Sequence, residues 1–328
     1  MTVFSIIICL SEKIKWSPDV VEKIILTTTL FSSIICWIQY FYIITPDLYS
    51  QTIKSRTNAF FSEPSYAGLV FYAASLSLFF KFFYLKNFKY LVLSIIFFFT
   101  GVLTFSMHIV TFFFSFLIIF FLIMILDKTT KKIIFLKQIT ILIILIFFFF
   151  LILYNYNLTF FNQFFDHIKS RLDIFNLEKT KSLSLLSWVR GFDQMLYSIK
   201  KTFVIGSGLG STGEFYFSSR ASEILDSYGL YHLTLKDSFS LFFRLVIEIG
   251  VFFVLVFLFL ILKKLLKFFN YGKSKIVFEK YLFLFIFSFV ILLGSLLKEP
   301  NYARSTLIVA IFIFFTTPIL KKNENYKK

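Results

Sequence analysis

The chain has 328 residues, 58% of them hydrophobic and 22% aromatic, with a mean hydropathy of +0.82 and a net charge of +16. A soluble core does not absorb that much apolar surface, and several apolar runs reach bilayer-spanning length, so the expected fold is an all-α, polytopic helical membrane protein. The positive charges are spread over short loops and form no single patch, which excludes nucleic acid as a partner.

Residues 1–10 are apolar but too short to span, and no small-residue cleavage site follows them. They read as the tail of a missing span, a partial anchor or a poor signal sequence. Spans are expected at 24–44, 65–80, 90–105, 110–126, 138–154, 239–262, 281–297 and 305–320, about eight in all. A tight turn near Ser106-Met107-His108 separates the third from the fourth, since one helix there would need about 37 residues for a single crossing. The segments 11–23, 81–89, 127–137, 263–280 and 321–328 hold 20 of the 34 basic residues, all lysine, against six acidic ones. By the positive-inside rule that side is the cytoplasm, with both termini on it. The remaining long segment, 155–238, is then an outer (periplasmic) loop within a single membrane domain spanning 1–328. Its aromatic residues and helical spacing (Trp188, Phe192, Met195, Leu196, Ile199) predict a partly helical loop packed near the membrane surface.

Arg56 to Gly68 reads RTNAFFSEPSYAG. Pro64 suits the first position of a helix, and the residue before a proline avoids helical angles, so Glu63 is expected at or just outside a helix start. A carboxylate, the Ser65 hydroxyl and an anion-attracting helix end thus share one place on a membrane boundary. Glu299-Pro300-Asn301-Tyr302-Ala303 repeats this pattern at four of five positions, with Arg304 next to it. The echo is either chance or a second helix start on the same cavity.

All six arginines, Arg56, Arg171, Arg190, Arg220, Arg244 and Arg304, fall on the outer side or in the outer part of a span. They form either ordinary ion pairs with outer acids or a cluster for phosphate oxygens, which the planar guanidinium grips in pairs. A phosphate carried by a bilayer-embedded substrate would belong to a polyprenyl phosphate or pyrophosphate. Arg244 and Glu248 are one helical turn apart, with Asp237 seven residues before Arg244. They are either a pair that fixes helix packing or the lining of the cavity that holds Glu63. The run Gly206-Ser207-Gly208-Leu209-Gly210 continues to Gly213 and contains G-x-G-x-x-G, but it lacks the strand–turn–helix setting of a dinucleotide site and reads as a turn by which the chain re-enters the membrane edge. His108, His167 and His232 have no ligand spacing, and the two cysteines, Cys9 and Cys36, lie in apolar runs, so no metal or disulfide framework is expected. His232 is either a hydrogen-bonded surface histidine or, near Asp237, a proton-transfer group.

Arg56 through Tyr66, with FFSEPSY at its centre, resembles the signature of Wzy-type O-antigen and capsular polysaccharide polymerases. The run SWVRGFDQMLYSIKKTFVIGSGLGS is similar to that family's outer-loop pattern, and Asp237-Ser238-Phe239 followed by Arg244, Glu248, Ile249 and Gly250 looks like the start of the span after that loop. Members of that family carry several more spans ahead of the EPSY helix, so the resemblance implies an N-terminally shortened member. It implies a metal-independent, cofactor-free glycosyltransferase in the bacterial cytoplasmic membrane, acting on undecaprenyl-pyrophosphate-linked repeat units. Partners would be membrane lipids and the chain-length regulator and flippase of the same pathway. A hydroxyl of one lipid-linked unit attacks the anomeric carbon of the other glycan, and lipid pyrophosphate leaves. Catalysis is assigned to Glu63, Arg190 and Asp237: Glu63 or Asp237 as base, and Arg190 first for pyrophosphate contact. Substrate binding is assigned to Arg56, Ser65, Tyr66, Arg244, Glu248, Arg304 and His232, with Trp188, Tyr66 and Tyr302 against the sugars. An O-antigen ligase and a lipid-linked oligosaccharide flippase are the alternatives, followed by an accessory membrane subunit.

Overall fold

The computed structural model describes residues 17–42, 57–61, 63–104, 106–126, 182–202, 205–216, 218–233, 235–236, 238–270, 275–298 and 304–317. Regular structure among the described residues is helical. The helices are α1 (Pro18–Tyr42), α2 (Pro64–Leu85), α3 (Phe88–Leu103), α4 (His108–Leu126), α5 (Leu183–Thr202), α6 (Arg220–Ser227), α7 (Leu241–Ile249), α8 (Val251–Asn270), α9 (Lys275–Lys298) and α10 (Ser305–Thr316), with a 3-10 turn at Ser211–Glu214. Four stretches are long and apolar enough to cross a membrane: Pro18–Tyr40, Pro64–Leu85, His108–Ile125 and Phe278–Lys298. Phe88–Leu103 and Ser305–Thr316 are apolar but shorter. The span expected at 138–154 lies outside the described residues, as does 155–181 in the expected outer loop. The stretch expected as one span at 239–262 is two helices, α7 and α8, broken at Gly250.

The chain divides into two compact units. The first comprises residues 1–132, 263–294 and 305–328. Here α2 is buried along most of its length, from Ser65 to Phe83. Its neighbours approach closely because the contact residues are small: a Cβ on Gly68 would stand 2.5 Å from the Ser106 Cβ, and one on Gly294 would meet the Leu69 side chain. Short hydroxyls join the helices where hydrocarbon offers no partner. Ser33 and Thr100 share a hydrogen bond of 2.7 Å, the Trp37 indole donates to Thr100, and Ser75 and Ser94 each donate to the other's carbonyl. At one end of this unit Lys81 donates to Glu22, both nearly buried, and Lys280 reaches Asp19 at 3.1 Å. Tyr84 packs edge-on against Phe278 at the same end. Lys264 donates to the carbonyls of Phe315, in the last turn of α10, and of Thr317 just after it, which satisfies acceptors that a helix C-terminus leaves open.

The second unit comprises residues 133–262 and 295–304. Helix α5 packs on α6 through Leu186, Ala221 and Leu225, and on α7 through an aromatic group in which Trp188 and Phe192 stack on each other and both meet Phe243 edge-on. Between α6 and α7 the described residues 228–233, 235–236 and 238–240 are non-helical, and the buried face of α5 bonds to several of them.

Candidate functional site

In the first unit, Glu63 is the residue at the start of α2, extended at φ −139° and ψ 146°, with Pro64 opening the helix behind it. This is the backbone state that the proline demands of its predecessor. The Glu63 carbonyl accepts from the Tyr66 and Ala67 amides. Its side chain does not cap the helix; it accepts a 3.1 Å hydrogen bond from the buried Ser65 hydroxyl and is otherwise exposed. The incoming segment 57–61 is held by Gln39 of α1. The Gln39 Oε1 accepts from the Asn58 and Ala59 amides, and its Nε2 donates to the Asn58 Oδ1 and the Ala59 carbonyl. Tyr66 is half-buried. Arg56 and Tyr302 lie outside the described residues.

In the second unit, the polar stripe of α5 is turned inward. Ser187, Arg190, Gly191, Gln194 and Ser198 recur at helical spacing and are buried. Arg190 is 0% exposed. Its Nη2 donates to the Tyr231 carbonyl at 2.8 Å and its Nη1 to the Leu233 carbonyl at 3.3 Å. The guanidinium also lies over the rings of Tyr216 and Tyr231. One turn on, Gln194 donates to the Leu235 carbonyl and accepts from the Ser238 hydroxyl. Gly191 is there because the Ser238 carbonyl lies where a Cβ would be. The stripe thus supplies donors to part-buried loop carbonyls. Tyr216 donates to the Asp226 carboxylate at 2.8 Å, and that hydrogen bond pushes the tyrosine pKa above its usual range. His232 is exposed, edge-on to Tyr231.

The other charged pair sits at the interrupted helix. Arg244 Nε donates to Glu248 Oε1 at 2.9 Å, and the Thr212 hydroxyl donates to the same oxygen at 3.0 Å. The Glu248 side chain is fully buried, whereas that of Arg244 is 18% exposed. One turn beyond, Gly250 adopts φ 88° and ψ 159°, a backbone region essentially restricted to glycine, and ends α7. A helix continuing through Gly250 would give the Ile247 and Glu248 carbonyls to residues 251 and 252. They are taken by the glycine-rich run instead: the Ser207 amide and hydroxyl donate to the Ile247 carbonyl, and the Gly208 amide to the Glu248 carbonyl at 2.9 Å. The close fit needs Gly206, where a Cβ would stand 2.5 Å from the Gly250 nitrogen. The glycine run is therefore a plug for a broken helix.

Among the expected site residues, then, Glu63 is brought to Ser65 and Arg244 to Glu248. Arg190 and Arg244 stand on packed helices, but their described partners differ, loop carbonyls for one and Glu248 for the other. Arg304 is half-buried just before α10. Asp237 lies outside the described residues. The helix that carries Arg244 begins at Leu241, after two residues with positive φ, Ser238 and Phe239, so its helical face does not extend back to position 237. Trp188 is occupied by its stack with Phe192 and Phe243. Sequence reasoning missed Thr212 and Gln194. Gln194 lay one turn from Arg190 on a helix otherwise read for its apolar face, and Thr212 sat inside a run read as a bare turn. No group of metal-binding side chains occurs among the described residues. No protein-family model, curated protein or solved structure matches the chain.

Proposed function

We propose that this chain is a membrane glycosyltransferase of the polysaccharide-polymerase type, joining undecaprenyl-pyrophosphate-linked repeat units at the outer face of the bacterial cytoplasmic membrane. The observation that carries the reading is the Arg244–Glu248–Thr212 group at the interrupted helix. A guanidinium whose Nε is fixed by a buried carboxylate, and whose side chain reaches the surface of its unit, is pre-oriented for the charge that develops on a leaving pyrophosphate. Arg244 therefore takes the pyrophosphate contact, and Arg190 becomes a positioning residue for the loop at 231–235. Glu63, exposed and braced by Ser65, keeps the role of candidate base that the family resemblance gives it. Arg56, Tyr66, Arg304 and His232 keep the substrate roles that the family resemblance gives them, and Asp237 keeps its role as the alternative base. The meeting of Asp19, Glu22, Lys81 and Lys280 at one end of the first unit supports a common cytoplasmic side for the lysine-rich segments.

The break at Gly250 favours a second reading, a lipid-linked oligosaccharide flippase, because transporters build their sites on discontinuous helices. In those sites the freed carbonyls face the cargo, whereas Ile247 and Glu248 give theirs to Ser207 and Gly208, and this favours the enzyme. The test is to supply the purified protein, in nanodiscs, with labelled lipid-linked repeat units. A polymer ladder with release of undecaprenyl pyrophosphate is expected. Transfer of a single unit to a lipid A-type acceptor would make the protein a ligase, and no transfer at all would overturn the enzyme reading.

A further inference from the structure

The plug that closes the broken helix has an outer side. Ile205 and Leu209 flank the residues that cap the Ile247 and Glu248 carbonyls, and they are 75% and 67% exposed. Two large aliphatic side chains so exposed on one short loop have no structural use in water. Their location gives them one. Gly206 packs directly on Gly250, two residues before Phe252, where the exposed apolar face of α8 begins with Phe252 and Phe253. The exposed apolar residues of α8 therefore begin two residues from the point where the loop packs. Lys200 and Lys201, at the end of α5 just before the loop, and Lys236, against Gly213 of the same run, are exposed, with Glu214 the exposed acid among them, so the described charges of this region remain net basic. An apolar tip with a basic rim is the chemistry of a membrane interface, where the tip enters the acyl boundary and the ammonium groups reach anionic headgroups.

We infer that the glycine-rich loop is a membrane-dipping element: Ile205 and Leu209 insert into the outer leaflet of the bilayer, and the Gly250 break lies at the level of the headgroups. Insertion of this kind reaches about 5–10 Å below the headgroup boundary. The loop then does two things with one backbone. Inward, its amides close the helix break; outward, its side chains anchor that break at a fixed depth, which puts Arg244 and Glu248 where a lipid's polar head lies. The inference concerns the bilayer itself and holds whatever reaction the protein performs.

The test uses the full chain in bilayers containing lipids brominated near the glycerol end of the acyl chain. Leu209→Trp and Ile205→Trp are each compared with Tyr228→Trp, at a loop position that is 54% exposed. Emission is read as the difference from the parent protein, whose three tryptophans are common to all. Both loop variants are expected to be quenched by the brominated lipid about twofold or more relative to Tyr228→Trp, and to be shielded from aqueous acrylamide. Equal bromine quenching at the three positions, or acrylamide access at 205 and 209 equal to that at 228, would overturn the inference and leave the tip exposed to water or to a protein partner.

Discussion

Arg190 shows what a buried guanidinium does when its described hydrogen bonds go to main-chain carbonyls and not to an acid. Its two described hydrogen bonds go to main-chain carbonyls of a loop more than forty residues further on, and its π contacts go to Tyr216 and Tyr231. Arg190→Ala removes the donors to the carbonyls of Tyr231 and Leu233, which are only partly buried, at about 0.5–1.5 kcal/mol for each lost hydrogen bond. The expected result is a lower unfolding temperature with early proteolytic cleavage near Leu233, and Arg190→Lys recovers only part of it because an ammonium has no planar fork. Glu248 is the opposite case, a fully buried carboxylate with a cation on it. Arg244→Met is expected to destabilise by about 3–5 kcal/mol in denaturant titration, by leaving the buried Glu248 carboxylate without its cation, and Glu248→Gln by less. Arg220 and Glu223 also pair, at 3.0 Å, but both are more than half exposed. Removing either should move stability by less than about 1 kcal/mol.

At the scale of elements, the broken helix and its plug form one device. Hydropathy cannot see it. Gly250 is an isolated glycine in an apolar run that otherwise scores as a single span, and the partner that makes the break affordable lies about forty residues upstream. What could be read from sequence was that the glycine run is a turn. That it donates Ser207 and Gly208 amides to α7 depends on a long-range contact that no local pattern encodes. Gly250→Ala forces a side chain into the glycine-only region and is expected to cost about 1–3 kcal/mol. Gly206→Ala keeps α7 and α8 intact but drives a Cβ into backbone, so it should free the plug. Hydrogen exchange at the amides of 207 and 208 would show this as loss of protection, with the amides of α2 unchanged as the internal control.

For the whole molecule, composition carried the coarse result: among the described residues the apolar runs fall on helices, as in a helical membrane protein, because backbone groups in hydrocarbon must bond within their own segment. The EPSY start was legible for the same local reason, since proline dictates its own angles and those of its neighbour. The split into two units and the burial of Arg190 were not legible, because both depend on which distant segments meet. The lysine-rich end of the first unit supplies a check on its packing. Lys81 and Glu22 are buried together, so Lys81→Met and Glu22→Gln should each destabilise by about 3–5 kcal/mol, while the double variant loses less than the sum.

The most direct measurement on the central claim is the polymer ladder made in nanodiscs by the parent protein and by Arg244→Lys. Lysine keeps the charge beside Glu248 but gives up the paired geometry that a diphosphate needs. A full ladder from the parent and at least about a tenfold loss of polymer from the folded variant is the expected result. Ladders of equal length and yield from the two proteins would contradict the account.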